Sequence, residues 1–132
     1  SSPPPPFSRL TVSPLTTPID LIMALADKIR AARESRVPAG DHIFVIRRPT
    51  DLEMMEFRAN PNVIMLLRFV IGWEKVREID ILEGGDPHPC PFSADVLAEW
   101  FADRLDLLAA LTQGIVDAYN AHKKGQELAE KN

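Results

Sequence analysis

The stretch Pro61–Leu82, PNVIMLLRFVIGWEKVREIDIL, constrains the fold more than any other part of the sequence. From Val63 to Ile71 the only polar residue is Arg68, so a helix formed here is apolar on nearly every side. Such a helix has to be enclosed by other elements. Asn60 can cap its first turn, and the proline that follows costs no helical hydrogen bond. The sequence therefore predicts a central helix over Pro61–Ile71, with amphipathic helices packed around it.

Length and charge limit the organisation of the chain and its partners. A chain of 132 residues with 45% hydrophobic content can form one domain with an ordinary core. We expect residues 1–6 to be a disordered Pro-rich lead, residues 7–124 to form a single helical domain, and residues 125–132 to be a frayed polar tail. The net charge of −4 argues against a nucleic-acid partner. The basic pairs Arg47-Arg48 and Lys123-Lys124 are each too small to form a phosphate-binding patch.

The cellular compartment is inferred from apolar runs and from cysteine use. The sequence shows no apolar signal segment, and its longest apolar run is about half of the roughly 20 residues that a bilayer span needs. The single cysteine, Cys90, excludes an internal disulfide and suits a reducing compartment. These features predict a cytoplasmic protein that makes no membrane contact.

The strand signals lie in the first half of the chain. Asp41–Arg48 holds four consecutive β-branched or aromatic residues and is the strongest strand candidate. We expect it to pair with the alternating segment Leu10–Val12 in a small sheet. Thr50-Asp51-Leu52-Glu53 then forms a capping box, which begins a short helix.

Helical spacing accounts for most of the remaining chain. A first helix is predicted from Thr17-Pro18 to near Ser35. Ser93 is expected to cap a helix that runs through Trp100, and Asp103–Asp106 interrupts it before a last helix. The predicted fold is mainly α, a compact bundle of about five helices with a small N-terminal two-stranded β element. The predicted apolar face of the first helix consists of Ile19, Ile22, Met23, Ala26 and Ile29, and that of the last helix of Leu108, Leu111, Ile115, Ala118, Tyr119 and His122.

The loop Asp86–Pro91 contains the most chemically suggestive side chains. Asp86, His88 and Cys90 alternate there, and all three residue types bind transition metals. A fourth ligand and paired ligand spacing are missing from the sequence, so a proline-stiffened connector is the favoured interpretation. Activation of Cys90 by His88 as a nucleophile is a minor alternative, because the sequence suggests neither an oxyanion hole nor an orienting third group. We therefore expect no catalytic residue, no cofactor and no metal ligand.

The two tryptophans are candidates either for the core or for a partner-binding hot spot. For Trp100, inside a predicted helix, the core is favoured. For Trp73, at a predicted helix end, both interpretations stay open.

Three segments of the sequence together resemble a known protein family. The segments are IRRPTDLEMMEF, LLRFVIGWEKVREIDIL, and the stretch from GGDPHPCPFS through the closing helix. Together they resemble the small tail assembly chaperones of long-tailed bacteriophages, which often show a GW-x-x-V turn, a Pro-Phe-Ser helix entry and a closing Tyr-x-x-His helix. The likeness covers Ile43–Asn132, whereas Pro18–Gly40 departs from the pattern and leaves a neighbouring tail or head-to-tail joining family open. The matching residues are Gly72, Trp73, Val76, Pro91, Phe92, Ser93, Tyr119 and His122.

The resemblance implies a non-enzymatic phage or prophage tail assembly chaperone, working in the host bacterial cytoplasm. Its implied partner is the tape measure protein or another tail protein, and self-association into a homo-oligomer is also allowed. The alternative is a structural head-to-tail connector or tail-terminator subunit that stays in the virion. The candidate partner-binding residues are Trp73 and, on the last helix, Leu108, Leu111, Ile115 and Tyr119.

Overall fold

The structure, a computed structural model, describes residues 17–131. The predicted Pro-rich lead and the predicted strand at Leu10–Val12 lie outside these residues. The chain divides into two compact units, with the division between Ala32 and Arg33.

The described part of the first unit is a single helix, α1, over Pro18–Ala32. Thr17 caps it, because its Oγ1 accepts a hydrogen bond of 3.1 Å from the backbone N–H of Asp20. Arg30 and Asp27 form an ion pair of 2.9 Å along its surface. The helix ends three residues before the predicted end at Ser35.

The second unit contains a sheet and five helices. The prediction of a bundle of about five helices with a two-stranded β element is wrong, because residues 17–131 contain six helices and a three-stranded antiparallel sheet in the order β1-β2-β3. The elements of the second unit are β1 (Glu34–Ala39), β2 (His42–Arg47), α2 (Asp51–Ala59), α3 (Val63–Leu67), β3 (Val70–Glu74), α4 (Glu78–Ile81), α5 (Ala94–Ala102) and α6 (Leu105–Lys131).

The predicted helix end near Ser35 is replaced by strand β1. This strand pairs with β2 in a hairpin whose turn contains Gly40, a residue with φ of 61°. β2 was predicted correctly, but its partners are β1 and β3, so both of its edges are occupied. β1 is an edge strand, which explains how it accommodates Pro38.

The predicted central helix over Pro61–Ile71 is also wrong. α3 has only five residues, and Asn62 rather than Asn60 caps it, with Oδ1 accepting from the N–H of Ile64 at 2.9 Å. The apolar run then turns and continues as β3. A short apolar run fits a buried helix or a buried strand, and here it supplies both in succession.

The core lies between one face of the sheet and helices α5 and α6. Phe44 and Ile46 of β2 are fully buried there. The Phe44 ring meets the Phe101 ring of α5 edge-on, with 5.4 Å between centroids. A register shift at Val45/Ile46 sets Phe44 opposite Trp73 and Ile46 opposite Val70. This irregularity lets Val70 and Trp73, three residues apart, both point to the core side. The residues that α5 and α6 contribute to this core cluster are Leu97, Trp100, Phe101, Leu107, Leu111 and Ile115.

Helix α6 approaches strand β1 very closely at Gly114. A Cβ at this position would lie 2.0 Å from Cγ1 of Val37, so glycine is what permits the observed packing distance. α6 continues past Lys124, where the sequence predicts a frayed tail, as far as Lys131.

None of the helices within residues 17–131 is both long enough and apolar enough to cross a membrane.

Candidate partner-binding surfaces

Among residues 17–131, α1 has six exposed large hydrophobic side chains, more than any other element, and none of its residues is buried. Leu21, Leu25 and Ile29 lie on one side of the helix, because they are four residues apart. Asp20 and Asp27 lie on the opposite side. Apolar patches of this kind on a folded protein commonly mark interaction sites. The exposed fractions are 68% for Ile19, 54% for Leu21, 66% for Ile22, 62% for Met23, 58% for Leu25 and 47% for Ile29.

The apolar residues of α1 also have the spacing of a helix–helix seam. Ile22, Leu25, Ile29 and Ala32 follow one another at intervals of three, four and three residues. This is the alternation with which one helix inserts its side chains between those of another. The apolar side of α1 is therefore suited to a second, long apolar helix.

Trp73, a predicted partner contact, is half-buried in β3 and makes specific contacts within its own unit. Its Nε1 donates a hydrogen bond of 2.9 Å to the carbonyl oxygen of Cys90. Its ring meets Phe92 edge-on at 5.0 Å and Trp100 at 6.2 Å between centroids. These contacts tie β3 to the loop after α4, so Trp73 supports the fold. Its role as a partner contact stays a prediction. Trp100 is buried, which confirms its predicted core position.

The predicted contact residues on the last helix all lie on α6, on the side that packs inward. Leu111 and Ile115 are 0% exposed and Tyr119 is 6% exposed. Leu108 is half-buried against the same core. These side chains are therefore packed within the unit and offer little surface to a partner.

Tyr119 also marks a polar cluster at the junction of α2 and α6. Its hydroxyl donates to Oδ1 of Asp51 at 2.8 Å, and Nζ of Lys123 donates to Oδ2 at 3.1 Å. These two bonds hold the pKa of the Asp51 carboxyl below its usual value, with the tyrosine contributing most. The bond to Asp51 in turn raises the pKa of Tyr119. This cluster joins residues 68 positions apart in the sequence, which is why sequence reasoning missed it.

The loop Asp86–Pro91 folds back on itself. Oδ1 of Asp86 accepts from the backbone N–H of His88 at 2.8 Å and also contacts the His88 ring nitrogen Nδ1. The backbone bond from His88 lowers the pKa of Asp86. Cys90 points elsewhere, with Sγ 3.5 Å from the carbonyl oxygen of Val76. Within residues 17–131, no three His, Cys, Asp or Glu side chains come together in a metal-binding arrangement.

Two surface grooves complete the candidates. One, of about 520 Å³, lies beside the edge strand β1, where its floor on α6 includes Ala110 and Gly114. The other, of about 290 Å³, lies between α3 and α5 and is lined by apolar side chains, among them Ile64 and Phe101. Both grooves are shallow. The lining of the first includes the charged residues Arg36 and Asp117, and the lining of the second is wholly apolar. Neither groove presents as many exposed large hydrophobic side chains as α1 does.

Comparisons of the chain with protein-family models, with curated proteins and with solved structures find no match. The functional argument therefore rests on the residues and on the geometry described above.

Proposed function

We propose that the protein is a non-enzymatic phage or prophage tail assembly chaperone that binds the tape measure protein in the host bacterial cytoplasm. The observation that carries this proposal is the exposed apolar side of α1. A tape measure is a long helical protein, and its apolar seams need to be covered until the tail tube surrounds them. A seam-forming helix such as α1 provides that cover by helix–helix packing.

The placement of α1 modifies the contacts expected from the sequence. Trp73 and the core side of α6 are engaged inside the second unit, whereas α1 has its apolar residues exposed. We therefore assign the primary contact to α1, in the segment that departs from the tail assembly chaperone pattern. The resemblance and the contact surface thus concern different parts of the chain.

The proposal is tested by paired substitutions on opposite sides of α1. Ile22→Gln together with Ile29→Gln removes two apolar contacts from the seam, and Ala24→Gln together with Ala31→Gln places the same side chains on the opposite side. Each isoleucine is about half exposed, so complete burial by a partner is worth about 1 kcal/mol per residue. The seam variant should then bind tape measure fragments roughly thirtyfold more weakly than the control variant.

The measurement is co-purification with a series of tape measure fragments, followed by titration calorimetry on the fragment retained. Circular dichroism of both variants checks that helix content is unchanged. Equal affinities for the seam variant and the control variant would exclude α1 as the contact. Failure of the unmodified protein to retain any fragment would reject the chaperone proposal itself.

The second candidate is a head-to-tail connector or tail-terminator subunit, and the same seam supports it. Packing of α1 against a different surface of a neighbouring copy would build a ring of chains, because a ring needs a head-to-tail contact. Light scattering of the purified protein and mass analysis of purified virions separate the two functions. A chaperone should be absent from virions, whereas a connector should form closed rings and be present in virions at a fixed ratio.

A further inference from the structure

A concentration of positive charge lies in the second unit, where α2 and α6 meet the start of the hairpin. We call it the basic corner, and its members are Arg33, Arg48, Arg58, His122 and Lys123. The backbone N–H of Arg48 donates to the carbonyl oxygen of Arg33 at 2.8 Å, which brings these two residues side by side. The Arg58 guanidinium lies over the Tyr119 ring, 5.7 Å from its centroid.

The basic corner is poorly neutralised by its own chain. Its one acidic neighbour among these contacts, Asp51, is already bonded to Tyr119 and to Lys123. Within residues 17–131, neither Arg33, Arg48 nor Arg58 forms an ion pair. Among the described residues, the guanidinium of Arg48 donates one hydrogen bond, a long one of 3.4 Å to the carbonyl oxygen of Pro49.

The crowding of positive charge affects the pKa of two members of the basic corner, Arg48 and His122. Partial burial lowers the pKa of Arg48, and the charge of Arg33 lowers it further. Partial burial likewise lowers the pKa of His122, with Arg48 and Lys123 adding to the effect. A cation held close to other cations gains free energy when an anion is placed beside it.

Apolar side chains border the basic corner on α2. Leu52 is 73% exposed and Met55 is 63% exposed. Together with Arg58 they are spaced by three residues, so all three occupy one side of the helix. The surface therefore combines positive charge with flexible apolar contact area, and methionine adapts readily to different partners.

We propose that the basic corner, with Leu52 and Met55, binds an acidic amphipathic peptide segment of a partner protein. Carboxylates of the segment accept hydrogen bonds from Arg48 and Arg58, and its apolar side chains cover Leu52 and Met55. The exposed leucine and methionine favour a peptide over nucleic acid, because a phosphate backbone has nothing to place against them.

The test uses the full chain and three probes. The first probe is a helical peptide of about four turns, with glutamates on one side and leucines on the other. The second is the same peptide with every glutamate replaced by glutamine, and the third is a single-stranded oligonucleotide that carries the same charge as the first peptide. Binding is measured by fluorescence anisotropy at low and at high salt, and nuclear magnetic resonance shift mapping locates the contact.

The expected result is selective binding of the glutamate peptide, with shifts concentrated in α2 and the Tyr119–Lys123 part of α6. Arg48→Gln with Arg58→Gln should weaken it about tenfold, since each exposed ion pair contributes a few-fold. Arg68→Gln with Lys131→Gln, two exposed cations elsewhere, should leave it unchanged. Equal weakening by both double variants, equal binding of the two peptides, or tighter binding of the oligonucleotide would each overturn the proposal.

The tests of the two proposals have independent outcomes. The basic corner consists entirely of residues from the second unit, whereas the tape measure contact is assigned to α1. Loss of tape measure binding in the α1 variants therefore leaves the peptide titration unaffected, and failure of the peptide titration leaves the chaperone proposal standing.

Discussion

The contact between Gly114 of α6 and Val37 of β1 allows a sharp test of the fold. Gly114→Ala should destabilise the protein, although alanine is the better helix former by about 1 kcal/mol. The new methyl group would lie 2.0 Å from Cγ1, 3.2 Å from Cβ and 3.3 Å from Cγ2 of the valine. A contact of 2.0 Å forces the valine out of its rotamer or pushes the helix from the sheet. Overpacking of this kind costs about 1–3 kcal/mol. A contact of 2.0 Å lies at the severe end of that range, so after subtraction of about 1 kcal/mol for helix propensity the expected net loss is about 2 kcal/mol.

Removing the valine methyl groups should reverse the sign of the effect. Val37→Ala alone loses two buried methyl groups and should cost about 1.5–2 kcal/mol. In that background only the 3.2 Å contact with Cβ remains, which a shift of a few tenths of an ångström relieves. Gly114→Ala should then be neutral or stabilising by up to about 1 kcal/mol. The double-mutant cycle should therefore show a coupling free energy of about 2 kcal/mol.

Urea denaturation, followed by circular dichroism, gives the free energy of unfolding for each variant, and unchanged slopes confirm that the variants are comparable. Gly125→Ala is the matched control on the same helix, because nothing lies within 4 Å of its added Cβ. It should stabilise by about 0.5–1 kcal/mol, because α6 continues past this position as far as Lys131. Stabilisation by Gly114→Ala in the unmodified background would refute the close helix–strand contact.

Three further predictions follow from single side chains. Leu66→Asp should cost several kcal/mol and Leu67→Asp clearly less, as judged by thermal melting, because Leu66 is 2% exposed whereas Leu67 is only partly buried. The hydrogen bonds from Arg47 hold the pKa of Glu53 at about 2, against 4.5 for an unperturbed carboxyl. The free energy of unfolding should therefore fall as the pH drops below about 4.5. In urea titrations at a series of pH values, Glu53→Gln should make this fall smaller. Cys90→Ser should leave the melting temperature nearly unchanged, and metal analysis of the purified protein should find no stoichiometric zinc; one equivalent of zinc lost in the variant would contradict this.

The sequence was sufficient to predict features that depend on residues close together in the chain. Thr50 and Glu53 form the capping box expected of them, with Thr50 Oγ1 accepting from the N–H of Glu53 at 3.2 Å. Ser93 caps α5 through its contact with Val96 in the same way. In both cases a side-chain oxygen accepts a hydrogen bond from a backbone N–H three residues further along the chain. The identities of neighbouring residues are therefore enough to predict the cap.

Strand β1 shows where local evidence is insufficient. Its sequence, ESRVPA, contains a proline and two charged residues, and nothing in it favours a strand. Pairing with β2 supplies its hydrogen bonds, and contact with α6 buries Val37 and Ala39. β3 is a similar case. The apolar run Pro61–Ile71 has the composition of a single helix, but its last residues pair with β2 and form a strand. Pairing with β2 therefore decided the structure of both segments, which composition alone does not identify as strands.

The basic corner shows the same limit for charge. Counting along the chain finds two isolated pairs, Arg47-Arg48 and Lys123-Lys124, in an acidic protein. The hairpin then places Arg33 beside Arg48, and the bonds of Asp51 to α6 bring Lys123 to the same place. Since electrostatic potential depends on distances in space, within about a Debye length of 10 Å, a net charge of −4 says little about any one surface. The same argument requires that Asp51→Asn raise the affinity of the basic corner for the glutamate peptide, because it removes the carboxylate that competes for Lys123.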